Sequence, residues 1–221
     1  MNSEYLKELE KLVLPSVYET LYMVFWASLI AIVLGLIFGI ILYITDKENI
    51  LENLVINNIL GIIINIGRSV PFVILMIAVF PLSKFIVGTS IGTKAAVVPL
   101  TIAAIPFVAR MIESALKEID KGVIEASVSM GSNEWQIIYK VLLPESISSI
   151  ISVITTTIIS IIGYSSMAGV IGGGGLGNIA IIYGYQRYRT DILIISVLIM
   201  IVLVQIVQGI GNILCKKLNK K

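Results

Sequence analysis

The sequence predicts an all-α integral membrane protein with five transmembrane helices. Three observations carry that expectation. Hydrophobic residues make up 57% of the 221 residues and charged residues only 14%, above the roughly 45–50% apolar share of soluble domains, and the mean hydropathy is +0.99. Charge-free runs longer than the roughly 18 residues that argue for a membrane helix recur along the chain. Histidine is absent and Cys215 is the only cysteine, which removes disulfides, thiolate metal clusters and histidine acid–base chemistry from consideration.

The elements run in order from the N-terminus. Glu4, Glu8 and Glu10 alternate with Lys7 and Lys11, so residues 1–15 read as an N-terminal segment outside the membrane. The apolar stretch after it is too long for a signal-peptide core of about 7–15 residues, and residues 20–45 form the first span. Asp46, Lys47, Glu48 and Glu52 make a polar connection, and residues 56–80 form the second span, interrupted by Arg68 and Pro71. A charge at mid-membrane costs about 2.5–3.5 kcal/mol on insertion scales; residues 53–67 avoid that cost as a tilted or interfacial lead-in. The third span covers 93–116, bent at Pro99 and Pro106. Arg110 and Glu113, three apart, share a face near its end. The fourth span is 147–171, residues Gly172 to Gln186 are expected to be a glycine-rich loop, and 192–215 is the fifth span. A transmembrane domain thus covers 16–214, and a basic tail covers 215–221.

Lysine and arginine orient the chain. The tail cluster Lys216, Lys217, Lys220 and Lys221 belongs in the cytoplasm by the positive-inside rule, and five crossings then place the N-terminus outside. That arrangement puts eight basic residues inside against six outside, with Arg68 and Arg110 at or within the membrane. Loop 117–145 also falls on the cytoplasmic side.

This loop carries the most informative pattern. Asp120 is expected to cap a short helix that ends at Gly131, and Asn133 a second helix with Gln136 in a capping box, after which Pro144 opens the next membrane helix. The first helix offers small residues, Ala126 and Ser127, beside apolar Ile124, Val128 and Met130, which suits docking of a helix into a partner's groove. A plain helical hairpin is the simpler reading of the same signals. Glu125 either interacts with the start of its own helix or meets a basic group on a partner.

Elsewhere, Gly172, Gly174 and Gly177 satisfy G-x-G-x-x-G, but a dinucleotide site needs a βαβ setting that a preceding membrane helix does not supply. The chain contains no Gly-Lys dipeptide, hence no nucleotide-hydrolysing P-loop. No catalytic residue, bound cofactor or metal site is expected, and no nucleic acid. In the fourth span Thr155, Thr156, Thr157, Ser160, Gly163, Tyr164, Ser165 and Ser166 form a dense run of small and hydroxyl side chains. Two readings stand side by side: close packing and hydrogen bonding between membrane helices, or a substrate path at the centre of a dimer, with Tyr164 and Met167 as an apolar closure and Ser165 and Ser166 as weak polar contacts.

Glu125-Ala126-Ser127, three residues, Gly131, nine residues, then Val141-x-Leu143-Pro144 resembles the "EAA" cytoplasmic loop of type I ABC importer permeases, with Ser127 for the third small residue and Val141 for isoleucine. Arg68-Ser69-Val70-Pro71-Phe72, Val87 to Gly92, Val98 to Thr101, Pro106 to Arg110, Gly163 to Gly169 and Tyr183-Gly184-Tyr185 are similar to the methionine-importer permease subfamily, over about residues 14 to 214. The resemblance implies the five-helix permease fold and a homodimer in the bacterial cytoplasmic (inner) membrane. Its implied partners are membrane lipid, two cytoplasmic ABC ATPase subunits that bind ATP and Mg and drive transport, and an extracytoplasmic lipoprotein that delivers L- or D-methionine. Glu125, Ala126, Ser127, Gly131, Leu143 and Pro144 would then couple the ATPase, which the chain itself does not replace as an enzyme. The alternative is an ion-coupled or stand-alone secondary amino-acid carrier, which would be expected to bury titratable groups and often to show an inverted repeat.

Overall fold

The computed structural model describes residues 3–218, which places Lys220 and Lys221 of the basic tail outside the described residues. Helices α1 (Ser3–Ile44), α4 (Thr93–Lys117), α8 (Ile147–Ala168) and α10 (Thr190–Leu218) are each long and apolar enough to cross a membrane. A fifth crossing exists only if α2 (Leu54–Ser69) and α3 (Phe72–Val87) count together, and they meet at 109°. Between the long helices lie the short α5 (Lys121–Ser129), α6 (Glu134–Ile137), α7 (Leu143–Glu145) and α9 (Gly175–Ile179).

Three expectations need correction. The expected segment 1–15 is, over its described residues 3–15, not separate from the first span, because α1 begins at Ser3 and runs unbroken through Pro15. Glu, Lys and Leu are strong helix formers, and Leu9, Leu12, Val13 and Val17 pack against Leu176, Ile179 and Ile192 of the far bundle end. The second span is not one helix over 56–80. Its lead-in is α2, and the chain turns at Val70 and Pro71, where proline holds its predecessor in extended backbone, ψ 124°. Arg68 lies on the surface of the bundle, in the last turn of α2.

The third correction concerns 172–186, where only the glycine break is irregular and residues 175–186 are helical rather than loop. Gly172, Gly174 and Gly175 take positive φ values of 91°, 79° and 81° and break the α8 direction. The chain then winds into α9 and a wide helical segment, Ala180–Gln186. The break is held from a distance: the Gly175 N–H donates to Glu19 Oε2 at 2.6 Å and the Leu176 N–H to Thr20 Oγ1 at 2.9 Å. In lipid an unmet backbone donor costs several kcal/mol, so these two α1 side chains are what make the bend tenable.

The core follows the closest helix pair. Gly35 and Gly39, four apart on α1, sit where a Cβ would collide with Val108 and Ile112 of α4, the small-residue spacing that lets membrane helices approach. One apolar cluster joins Met23, Ala27, Met76, Leu100 and Ile161 at mid-bundle. A second joins Ile44, Ile112, Leu116, Ile137, Leu142 and Val153 at the end that carries α5 and α6.

Candidate functional site

Loop 117–145 projects from the bundle as two capped helices. Asp120 Oδ1 accepts from the Gly122 N–H at 2.8 Å and opens α5. At its other end the Gly131 N–H bonds the Val128 carbonyl and the Ser132 N–H bonds the Ser127 carbonyl, the paired closure of a Schellman motif. Gly131 stands at φ 83° with no atom within 4 Å of a would-be Cβ, so conformation and not crowding selects glycine. Asn133 and Gln136 complete the expected capping box, at 2.9 and 3.1 Å. The chain then passes a wide turn, Ile138–Leu142, and α7, with Pro144 in its first turn, into α8.

The loop has two faces. Ser127 is buried, and Ile124 and Leu143 pack into the core beneath. Glu125, Ala126, Gly131 and Pro144 face outward. Around them stands an apolar surface of Val128, Met130 and Trp135, exposed by 55%, 80% and 72%. Trp135 and the half-exposed Tyr139 were not singled out from sequence, although an aromatic between Glu134 and Gln136 in a polar helix is a signal that could have found Trp135. Exposed aromatic and apolar side chains on a capped, rigid loop are the chemistry of a docking surface.

Under the loop the charges form one cluster. Glu113 is buried and receives Arg110 Nη1 at 2.6 Å on one oxygen and Lys117 Nζ at 2.8 Å on the other. Lys117 also meets Asp46 Oδ2 at 2.8 Å, and Arg110 Nη2 reaches Asn65 Oδ1 of α2 at 2.8 Å. The expected Arg110–Glu113 pair is therefore one link of a chain that ties α4 to α2 and to the loop after α1.

The α8 residues do not share a face. Tyr164 stacks on Phe72 at 4.8 Å between ring centroids and so braces the α2–α3 bend. Ser165 is buried and donates to the Ile162 carbonyl at 2.7 Å. Ser166 points to α10, where it bonds Met200 Sδ at 3.0 Å. Met167 alone of the four is well exposed, at 46%, in line with Ser152, Thr156 and Gly163 on one exposed stripe of the helix. Thr155 and Thr157 donate their hydroxyls to carbonyls four residues back in α8, so neither has a proton left to give to another helix.

An all-helical membrane bundle with a capped helical loop at one end has the form of a transporter's membrane subunit. A family model described as "Binding-protein-dependent transport system inner membrane component" matches residues 31–220, and the chain belongs to that family. It is 52% identical over 210 residues to a Vibrio cholerae protein described as "Probable D-methionine transport system permease protein MetI", covering 95% of this chain and 93% of the relative. It is 44% identical over 204 residues to the "Methionine import system permease protein MetP" of Bacillus subtilis, covering 92% of each. Among solved structures, a chain from "Inward facing conformations of the MetNI methionine ABC transporter" superposes with a TM-score of 0.95 at 40% identity and complete coverage of both chains.

The charge cluster yields a pH test. Lys117, bonded to it, holds the Asp46 carboxyl below its ordinary value. A depressed folded-state pKa means that the pair contributes fully above the ordinary carboxylate range, near pH 4, and is lost as pH falls through the depressed value. Both groups are part exposed, so Asp46→Asn should cost no more than about 1 kcal/mol at pH 7. Thermal unfolding in detergent should show a small loss at pH 7 that shrinks in acid; a loss that grows in acid would contradict the assignment.

Proposed function

We infer that this chain is the membrane-spanning permease subunit of an ATP-driven ABC importer for methionine, located in the bacterial inner membrane. The observation that carries this reading is the full-length match in fold, TM-score 0.95, at 40% identity to a methionine ABC transporter chain, supported by relatives described as methionine permeases. Two copies would work with two cytoplasmic ATPase subunits, which bind ATP and Mg, and with an extracytoplasmic binding protein that delivers L- or D-methionine. The N-terminus would lie outside and the C-terminus in the cytoplasm, as the lysine distribution favours.

In this reading α5 is the docking helix. Glu125, Ala126 and the exposed apolar residues around Gly131 meet the ATPase, while Ser127 and Leu143, turned into the core, transmit its movement to the bundle. Closure of the two ATPases on ATP draws the two α5 helices together, and α8, continuous with the loop through Pro144, turns outward as a rigid lever. The stripe through Gly163 and Met167 borders the path between the two copies. Tyr164, Ser165 and Ser166 border it less directly, because they are engaged with Phe72, Ile162 and Met200. No fixed charge sits on this stripe, so a zwitterionic amino acid passes without being held and specificity rests with the binding protein.

Glu125→Lys and Gly131→Pro should each abolish capture of the ATPase from solubilised membranes while leaving permease yield unchanged. Capture and transport at wild-type levels in both would remove the docking assignment. Met167→Ala should raise basal ATP hydrolysis in the assembled transporter with little change in which amino acids are carried. A switch in substrate preference would show that a dedicated internal site, not a passage, lies there.

A further inference from the structure

The connection between α1 and α2, residues 45–53, is built as an ordered shelf. The Leu51 N–H returns to the Ile44 carbonyl and the Asn53 N–H to the Thr45 carbonyl, both at 3.0 Å. The Glu48 N–H donates to Glu52 Oε2 at 2.9 Å. Asp46 fastens the shelf to α4 through Lys117. At its tip Glu48 stands at φ 62°, a left-handed conformation that non-glycine residues rarely adopt and that persists where the surroundings fix it.

Beside this tip lies a groove of about 210 Å³, with Glu48, Asn49 and Ile50 on one wall and Lys121, Ile124, Glu125 and Val128 of α5 on the other. An apolar cavity of about 150 Å³ holds benzene, so this groove has room for one aromatic or branched side chain. Its apolar lining is Ile50, Ile124 and Val128. The shelf carries Lys47 and Glu48 with side chains 73% and 72% exposed, which belongs in water and not against acyl chains. We propose that residues 45–53 are a second docking element for the ATPase, and that the shelf and α5 together seat one apolar side chain of that subunit. The proposal rests on the importer reading above, since one wall of the groove is the docking helix itself.

The consequence is mechanical. Pressure on α5 reaches the cluster beneath it, with side chains of α1, α4 and α8, whereas pressure on the shelf also reaches α2, through Asp46, Lys117, Glu113, Arg110 and Asn65. A partner seated in the groove thus drives both halves of the bundle from one contact.

The test uses the permease in a Cys215→Ser background, with Asn49→Cys or Val128→Cys, in inverted membrane vesicles with and without its co-expressed ATPase. The probe is a membrane-impermeant maleimide. Labelling at both positions should be fast without the ATPase and slower by about tenfold or more with it, as for sites closed within a stable interface. Protection at Val128→Cys without protection at Asn49→Cys overturns the second element and leaves α5 docking intact; protection at neither overturns the importer reading. Slow labelling at Asn49→Cys without the ATPase points to lipid or the chain itself as occupant and also overturns the proposal. Independently, Asn49→Trp, which fills the groove from the shelf side, should weaken ATPase capture by about tenfold, near 1.4 kcal/mol, at unchanged permease melting temperature; unchanged capture counts against the groove.

Discussion

The Glu113 carboxylate is the constraint on which the loop-bearing end of the molecule depends. It is buried, and an ionised carboxylate is held there only if both oxygens find partners, since breaking such a group's pairing costs about 3–5 kcal/mol. Arg110 takes one oxygen and Lys117 the other. Each cation then has a donor to spare, and those donors fasten Asn65 of α2 and Asp46 after α1. Satisfying one buried charge therefore sets the relation of three helices, and α5 starts four residues after Lys117, at Lys121.

A second constraint rules the opposite end. A chain that turns inside a membrane must satisfy the backbone groups it frees. Gly172, Gly174 and Gly175 permit the turn, but Glu19 and Thr20 complete it, from 156 residues away in sequence. The two constraints meet in α1, which supplies these side chains near one end and leads into Asp46 at the other. Helix α8 also joins both ends, leaving the capped loop at Ser146 and reaching the glycine break after Ala168. A load applied at the loop is thereby passed to the far break by two helices, as a rigid-body or hinge transition requires.

Much of this was legible in the sequence. The third, fourth and fifth apolar runs match α4, α8 and α10 closely, because lipid imposes long helices wherever charge is absent. The caps at Asp120, Asn133 and Gly131 stand as the residue types dictate. The bend after Ser69 was half legible: Pro71 and Arg68 flagged an interruption, but the contact that braces it, Tyr164 on Phe72, is distant in sequence. The helical character of 175–186 was hidden, since glycine signals a break but not the conformation of the residues beyond it. The Glu19 and Thr20 partners carry no local signal. The face of α8 was the hardest to read. Apolar and hydroxyl residues surround that helix, and Thr155 and Thr157 bond their own turns, so periodicity did not separate Met167, exposed, from Ser165, buried.

The most direct test of the account is amino-acid uptake by proteoliposomes that hold this permease with its ATPase, with the binding protein supplied on the membrane face opposite the ATPase. The account predicts methionine accumulation against its gradient that requires ATP on the ATPase side, requires the binding protein on the other, and is indifferent to proton and sodium gradients. Accumulation driven by an ion gradient with no ATP and no ATPase would contradict it and make the chain a secondary carrier.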